Sequence, residues 1–128
     1  MVEMNEELSE LFELAVKAKE NAYVPYSHFH VGAALLTKSG KIYTGCNIEN
    51  SSFGATNCAE RTAMFKAVSE GDREFKAIAI ASDHEITEPC GICRQVMSEF
   101  DDGSMTVVIG KDTAYSLNEL LPLMFELD

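Results

Sequence analysis

The chain has 128 residues, 46% of them hydrophobic, and ten Lys and Arg against twenty-one Asp and Glu give a formal charge of −11. This length and apolar share predict one folded domain over residues 1–128 with a real core, and exclude a disordered chain. The acid excess, with no Lys/Arg run, excludes nucleic acid and an anionic membrane as main partners, and no apolar run approaches the roughly 20 residues of a membrane span.

Leu8, Leu11, Phe12, Ala15, Ala18 and Ala22 recur at helical steps, predicting an N-terminal helix that breaks over residues 21–27, around Pro25. Phe29, Val31, Ala33 and Leu35 alternate as in a strand. Ser39-Gly40 then turns the chain into a returning strand over residues 41–49. A polar loop over 50–57 precedes a helix over 58–70, stopped by Gly71. Residues 77–81 read as a buried strand, 89–100 as a helix with Pro89 near its start, and 106–109 as a fourth strand. A closing helix over 118–124 is disturbed at Pro122. A hairpin followed by alternating helix and strand implies an α/β fold with a mixed sheet and helices on its faces.

The acidic start lacks the positive and apolar regions of a signal peptide, so the expected location is cytoplasmic. The four cysteines, at 46, 58, 90 and 93, are then expected to be reduced, metal-bound or buried. Cys58-Ala59-Glu60 and Pro89-Cys90-Gly91-Ile92-Cys93 both fall at predicted helix starts. A helix N-terminus stabilises a thiolate. Two such ends meeting could supply three thiolates and leave a fourth zinc position open, the mark of a catalytic site. Glu60 is close enough to take a proton from a zinc-activated water. A Cys-x-x-Cys redox pair is one alternative, though it leaves Cys58-x-Glu60 unexplained. A structural zinc site using all four cysteines is another. Strand alternation puts Ile42, Thr44, Cys46 and Ile48 on one face, making Cys46 a core residue instead.

Asn47-x-Glu49 would place an amide and a carboxylate on one strand face, suited to vicinal hydroxyls such as those of a ribose. Alone, the pair is as compatible with a solvated strand end. Arg61 could offset the net negative charge of a tri-thiolate zinc, or simply lie on the surface. His28, His30 and His84 lack ligand spacing and are expected to be solvated or internally satisfied.

Taken together, Tyr26-Ser27-x-Phe29-x-Val31-Gly32-Ala33-Ala34-Leu35, Gly45-Cys46-Asn47-Ile48-Glu49-Asn50, Cys58-Ala59-Glu60-Arg61-Thr62-Ala63, Pro89-Cys90-Gly91-x-Cys93-Arg94-Gln95 and Leu120-Leu121-Pro122-x-x-Phe125 resemble the small homotetrameric, zinc-dependent cytidine deaminases. The resemblance spans nearly the whole chain. It implies a three-layer α/β/α sandwich with a mixed five-stranded sheet. It also implies hydrolytic deamination of cytidine and 2′-deoxycytidine, in pyrimidine salvage, with release of ammonia. Cys58, Cys90 and Cys93 would hold one Zn2+ per subunit and Glu60 would shuttle protons. Phe29, Asn47, Glu49, Phe53 and Ala59 would contact the nucleoside, with Phe125 reaching it from a neighbouring subunit. Arg61 and Gln95 would support the ligands.

Phe53 stands where relatives commonly carry tyrosine, and Glu88 where serine is usual. Blasticidin-S-type deaminases share the cysteine motifs, but Asn47-x-Glu49 favours plain cytidine. A non-enzymatic zinc-stapled binding module would instead use Cys46 as a fourth ligand. The apolar end made by Leu117, Leu120, Leu121, Leu123, Met124 and Phe125 gives slight independent support to a homotetramer with active sites at subunit interfaces.

Overall fold

The computed structural model describes residues 1–127. Helix α1 (Glu6–Ala18) starts at Asn5, whose side chain accepts from the Leu8 N–H at 2.9 Å. Glu6 and Glu7 in its first turn and Lys17 in its last complement the helix dipole. A short 3-10 turn, Lys19–Asn21, ends it before Ala22. Strands β1 (Val31–Thr37) and β2 (Ile42–Cys46) form the expected hairpin, with Gly40 at φ +91° in the turn. Helix α2 (Ala59–Ser69), strand β3 (Phe75–Ser82), helix α3 (Gly91–Glu99) and strand β4 (Thr106–Gly110) follow. Strand β5 (Thr113–Ser116) and the short helix α4 (Leu117–Leu120) complete the order.

The sheet runs β2-β1-β3-β4-β5, with β3 and β4 parallel and every other pair antiparallel. Each face has its own side-chain size. Ala34, Leu36, Ala77, Ala79 and Ala81 pack beneath α1 through Leu8, Leu11 and Ala15. Leu35, Ile78, Ile80 and Val107 face α2 and α3 through Ala63, Met64, Cys93 and Met97. The result is an α/β/α sandwich. Burial of each large aliphatic side chain contributes about 1.5–3 kcal/mol.

Three expectations are corrected. Residues 113–116, unassigned by pattern, form a fifth strand, while the closing helix begins at Leu117 and stops at Leu120, short of Pro122. The Asn47-x-Glu49 pair lies beyond β2, which ends at Cys46. Cys46 itself is half-buried rather than core. The buried face of edge strand β2 is that of Tyr43 and Gly45, because α2 packs directly against Gly45. A Cβ on Gly45 would lie 2.5 Å from the Ala59 carbonyl oxygen and 2.6 Å from the Ala63 nitrogen.

Candidate active site

The topology explains why the two cysteine motifs meet. Strands β2 and β3 are both antiparallel to β1, so they run in the same direction. The helices that follow them therefore begin at the same end of the sheet. Cys58 is the N-cap of α2 and Cys90 the N-cap of α3, both in extended backbone and neither capping its helix with its side chain. Their sulfurs are free to converge. Cys93, buried one turn into α3, completes the group. The Cys58 and Cys90 sulfurs are 3.8 Å apart, and all three lie within 4.8 Å of one another. Arg94 pins this corner, donating to the carbonyls of Pro89 at 2.8 Å and Leu120 at 2.6 Å.

Arg61 reaches back over the first turn of α2 and donates from Nη2 to the Cys58 sulfur at 3.1 Å. Its Nε is buried with no hydrogen-bond partner among the described residues. A hydrogen bond from the Cys93 thiol, with support from Arg61 and Cys90, pulls the Cys58 thiol down to about 5 against the opposing effect of burial. Cys93 is pushed up by that same hydrogen bond and by burial. One sulfur is thus a ready thiolate and its neighbour holds the proton that a divalent cation would displace. Burial works against the charge on Arg61, but hydrogen bonds to Cys58 and Cys93 outweigh it and raise its pKa. Three converging sulfurs, an orphaned guanidinium N–H and two helix N-termini fit a zinc ion, leaving a fourth position open.

Glu60 is only 4% exposed. Burial pushes its carboxyl up to about 7, so near neutral pH it can both take and give a proton. It borders a cavity of about 230 Å³, lined also by Phe29, Val31, Asn47, Ala59, Thr87 and Glu88. Val31 and Thr87 carry no sequence signal for this role. The Phe29 ring packs on His84, with centroids 4.9 Å apart. His30 is held by Asp83, Nδ1 to Oδ2 at 3.2 Å.

Asn47 accepts from the Val31 N–H at 2.9 Å and donates to the Phe29 carbonyl at 2.8 Å. The Glu49 carboxylate accepts from the backbone N–H groups of Tyr26, at 3.0 Å, and Ser27, at 3.1 Å, and from the Ser27 hydroxyl. These fill three of about four acceptor positions on a carboxylate, leaving room for one donor rather than two. Glu49 borders not the cavity of Glu60 but a second one, of about 250 Å³, with Tyr26, Asn50, Phe53 and Thr56. Phe53 is 81% exposed there. Gln95 and Phe125 lie together elsewhere: the Gln95 amide donates to the Phe125 carbonyl at 3.3 Å, and the Phe125 side chain is exposed.

Residues 5–111 match the family model of the cytidine and deoxycytidylate deaminase zinc-binding region. The chain belongs to this deaminase family. A cytidine deaminase of Sporosarcina psychrophila is 64% identical over 94 residues, covering 73% of this chain and 69% of the relative. One from Halalkalibacterium halodurans is 51% identical over 120 residues, covering 90% and 91%. The crystal structure of the Burkholderia pseudomallei cytidine deaminase superposes with a TM-score of 0.86 at 47% identity, covering 95% of this chain and all of that one. The three-layer sandwich with its mixed five-stranded sheet is therefore the fold of these deaminases. Among the described residues no helix is long and apolar enough to cross a membrane.

Proposed function

We propose that this deaminase hydrolyses cytidine and 2′-deoxycytidine to the uridine forms, releasing ammonia, with Cys58, Cys90 and Cys93 as ligands of one zinc per subunit. The carrying observation is a three-sulfur cluster beside a buried carboxyl, Glu60, on the wall of a small cavity. Zinc held there by the three sulfurs would supply a Lewis acid that lowers the pKa of water. Glu60 takes the proton released as the water oxygen adds to C4 of the ring. It delivers that proton to N3, then takes the remaining proton of the new C4 hydroxyl and passes it to the amine as the C4–N bond breaks and the C4 carbonyl forms, so that water is consumed and ammonia leaves. Arg61 holds the Cys58 sulfur, the Phe29 ring packs against the nucleoside, and Asn47 and Glu49 face the sugar.

The cytidine deaminase names of the relatives at 64% and 51% identity support this substrate. A neutral nucleoside also suits a chain of charge −11, which offers no basic funnel for polyphosphates. Residues 1–128 act as one catalytic domain, and pyrimidine salvage in the cytoplasm is the setting. Several large apolar side chains are exposed, among them Phe53, Ile92, Leu123 and Phe125. They support a homotetramer in which neighbouring subunits complete the active sites, with Phe125 reaching an adjacent nucleoside. Glu60→Gln in a folded, zinc-loaded sample is expected to abolish the loss of cytidine absorbance. Turnover near that of the wild type would overturn the mechanism.

A further inference from the structure

The Ser27 hydroxyl lies outside the reacting centre, yet it joins two parts of the site. It donates to Glu49 Oε2 and accepts from the Phe29 N–H at 3.1 Å. His28, between them, adopts a left-handed conformation at φ 59°, and its N–H closes the turn on the Val24 carbonyl at 3.0 Å. This turn brings the Phe29 N–H back over the Ser27 side chain. The same short segment is stitched to the strand exit by Tyr23 N–H to the Asn47 carbonyl, 3.0 Å, and Glu49 N–H to the Tyr23 carbonyl, 2.8 Å. The Phe29 carbonyl in turn accepts from Asn47. Phe29 is thus gripped at its N–H by Ser27 and at its carbonyl by Asn47, and Ser27 also fixes Glu49.

We infer that Ser27 is a positioning residue that sets the pose of Glu49 toward a sugar hydroxyl. This rests on the nucleoside reading above. A hydroxyl that spends its only proton on a carboxylate and one of its two lone pairs on a backbone N–H is held in a single orientation. A charge-assisted bond of this kind is stronger than a neutral one. Removing the hydroxyl leaves the Tyr26 and Ser27 N–H bonds on Oε1 but frees Oε2 to turn away.

The test compares Ser27→Ala and Ser27→Thr with wild type, each zinc-loaded, on cytidine and on 2′,3′-dideoxycytidine, the latter followed at high enzyme concentration. Ser27→Ala is expected to lower kcat/KM for cytidine about tenfold while changing the dideoxy compound less than about twofold. Ser27→Thr, which keeps the hydroxyl, should restore cytidine turnover. In a Glu49→Gln background the Ser27→Ala effect should vanish. An equal loss on both substrates, or none on either, overturns the positioning role. A wild-type enzyme that turns over neither compound overturns the nucleoside reading itself.

Discussion

Arg61 donates to the sulfur of Cys58 at 3.1 Å from one turn further along the same helix, while its own Nε is buried without a partner among the described residues. A zinc on three thiolates carries one net negative charge, and a guanidinium is the side chain that both balances it and orients a sulfur. Arg61→Ala should weaken zinc retention about 10- to 100-fold, measured by competition with a chromophoric chelator. Arg61→Lys, which keeps the charge but not the fork, should recover only part of the loss. Zinc retention unchanged in both variants would show that Arg61 serves only to fill space.

Gly45 and Gly32 are each overlain by backbone, but by different helices. A Cβ on Gly32 would lie 2.1 Å from the Ala15 carbonyl oxygen in α1, and one on Gly45 would collide with Ala59 and Ala63 in α2. Backbone cannot yield as a side chain does, so Gly32→Ala and Gly45→Ala should each cost about 1–3 kcal/mol or more, read from denaturant unfolding. Only Gly45→Ala displaces the helix that begins at Cys58. Loss of metal affinity should therefore appear in Gly45→Ala and be absent from Gly32→Ala.

The sequence carried the site further than it carried the strand beside it. The starts of α2 and α3 were readable because Cys58 and Cys90 precede helical apolar spacing, with Gly71 stopping the first helix and Pro89 opening the second. Their convergence follows from the hairpin and the direction of β3. The buried face of β2 is not legible in the sequence because its close helix contact is made by Gly45, which leaves no hydrophobic mark, while Ile42 and Ile48 are exposed at the edge of the sheet. Strand β5 is four residues with two polar ends, too short to show alternation. Ser27 sits inside the Tyr26-Ser27-x-Phe29 motif, but its bond to Glu49 joins loops 22 residues apart, and no local periodicity encodes such a contact.

Cys46 separates the catalytic site from a four-cysteine staple. It ends β2 half-buried, outside the group whose sulfurs lie within 4.8 Å. Cys46→Ser should keep one zinc per chain and full cytidine turnover, measured by elemental analysis beside the activity assay. Release of the metal from that variant would restore the binding-module reading.

Glu49 predicts a pH dependence in the loop it holds. The Ser27 hydroxyl, then the Ser27 and Tyr26 N–H groups and the charge of His28, hold its carboxyl below the ordinary value of 4.5. A lowered carboxylate stabilises the folded loop fully above its unfolded pKa, and the contribution is lost as pH falls through the folded value. Exchange of the Tyr26 and Ser27 amides should therefore stay protected down to about the ordinary carboxylate range and lose protection only below it. Glu49→Gln should remove that acid-dependent loss, leaving protection lower but flat.

The same carboxylate limits how the sugar is read. With three of about four acceptor positions filled by Tyr26 and Ser27, Glu49 has room for one hydroxyl proton. Asn47, already bonded to Phe29 and Val31, keeps one amide hydrogen and one lone pair. A carboxylate that bonds one hydroxyl penalises most the analogue lacking it, because a charged acceptor is then left short of a partner, whereas a neutral amide left with a hydrogen unused costs less. Of 2′-deoxycytidine and 3′-deoxycytidine, one should lose about 10-fold or more in kcat/KM relative to cytidine and the other only about 2-fold. In Glu49→Gln the gap between the two should shrink. Equal losses on both deoxy compounds with the wild-type enzyme would mean that Glu49 turns from Ser27 when substrate binds and accepts from both hydroxyls.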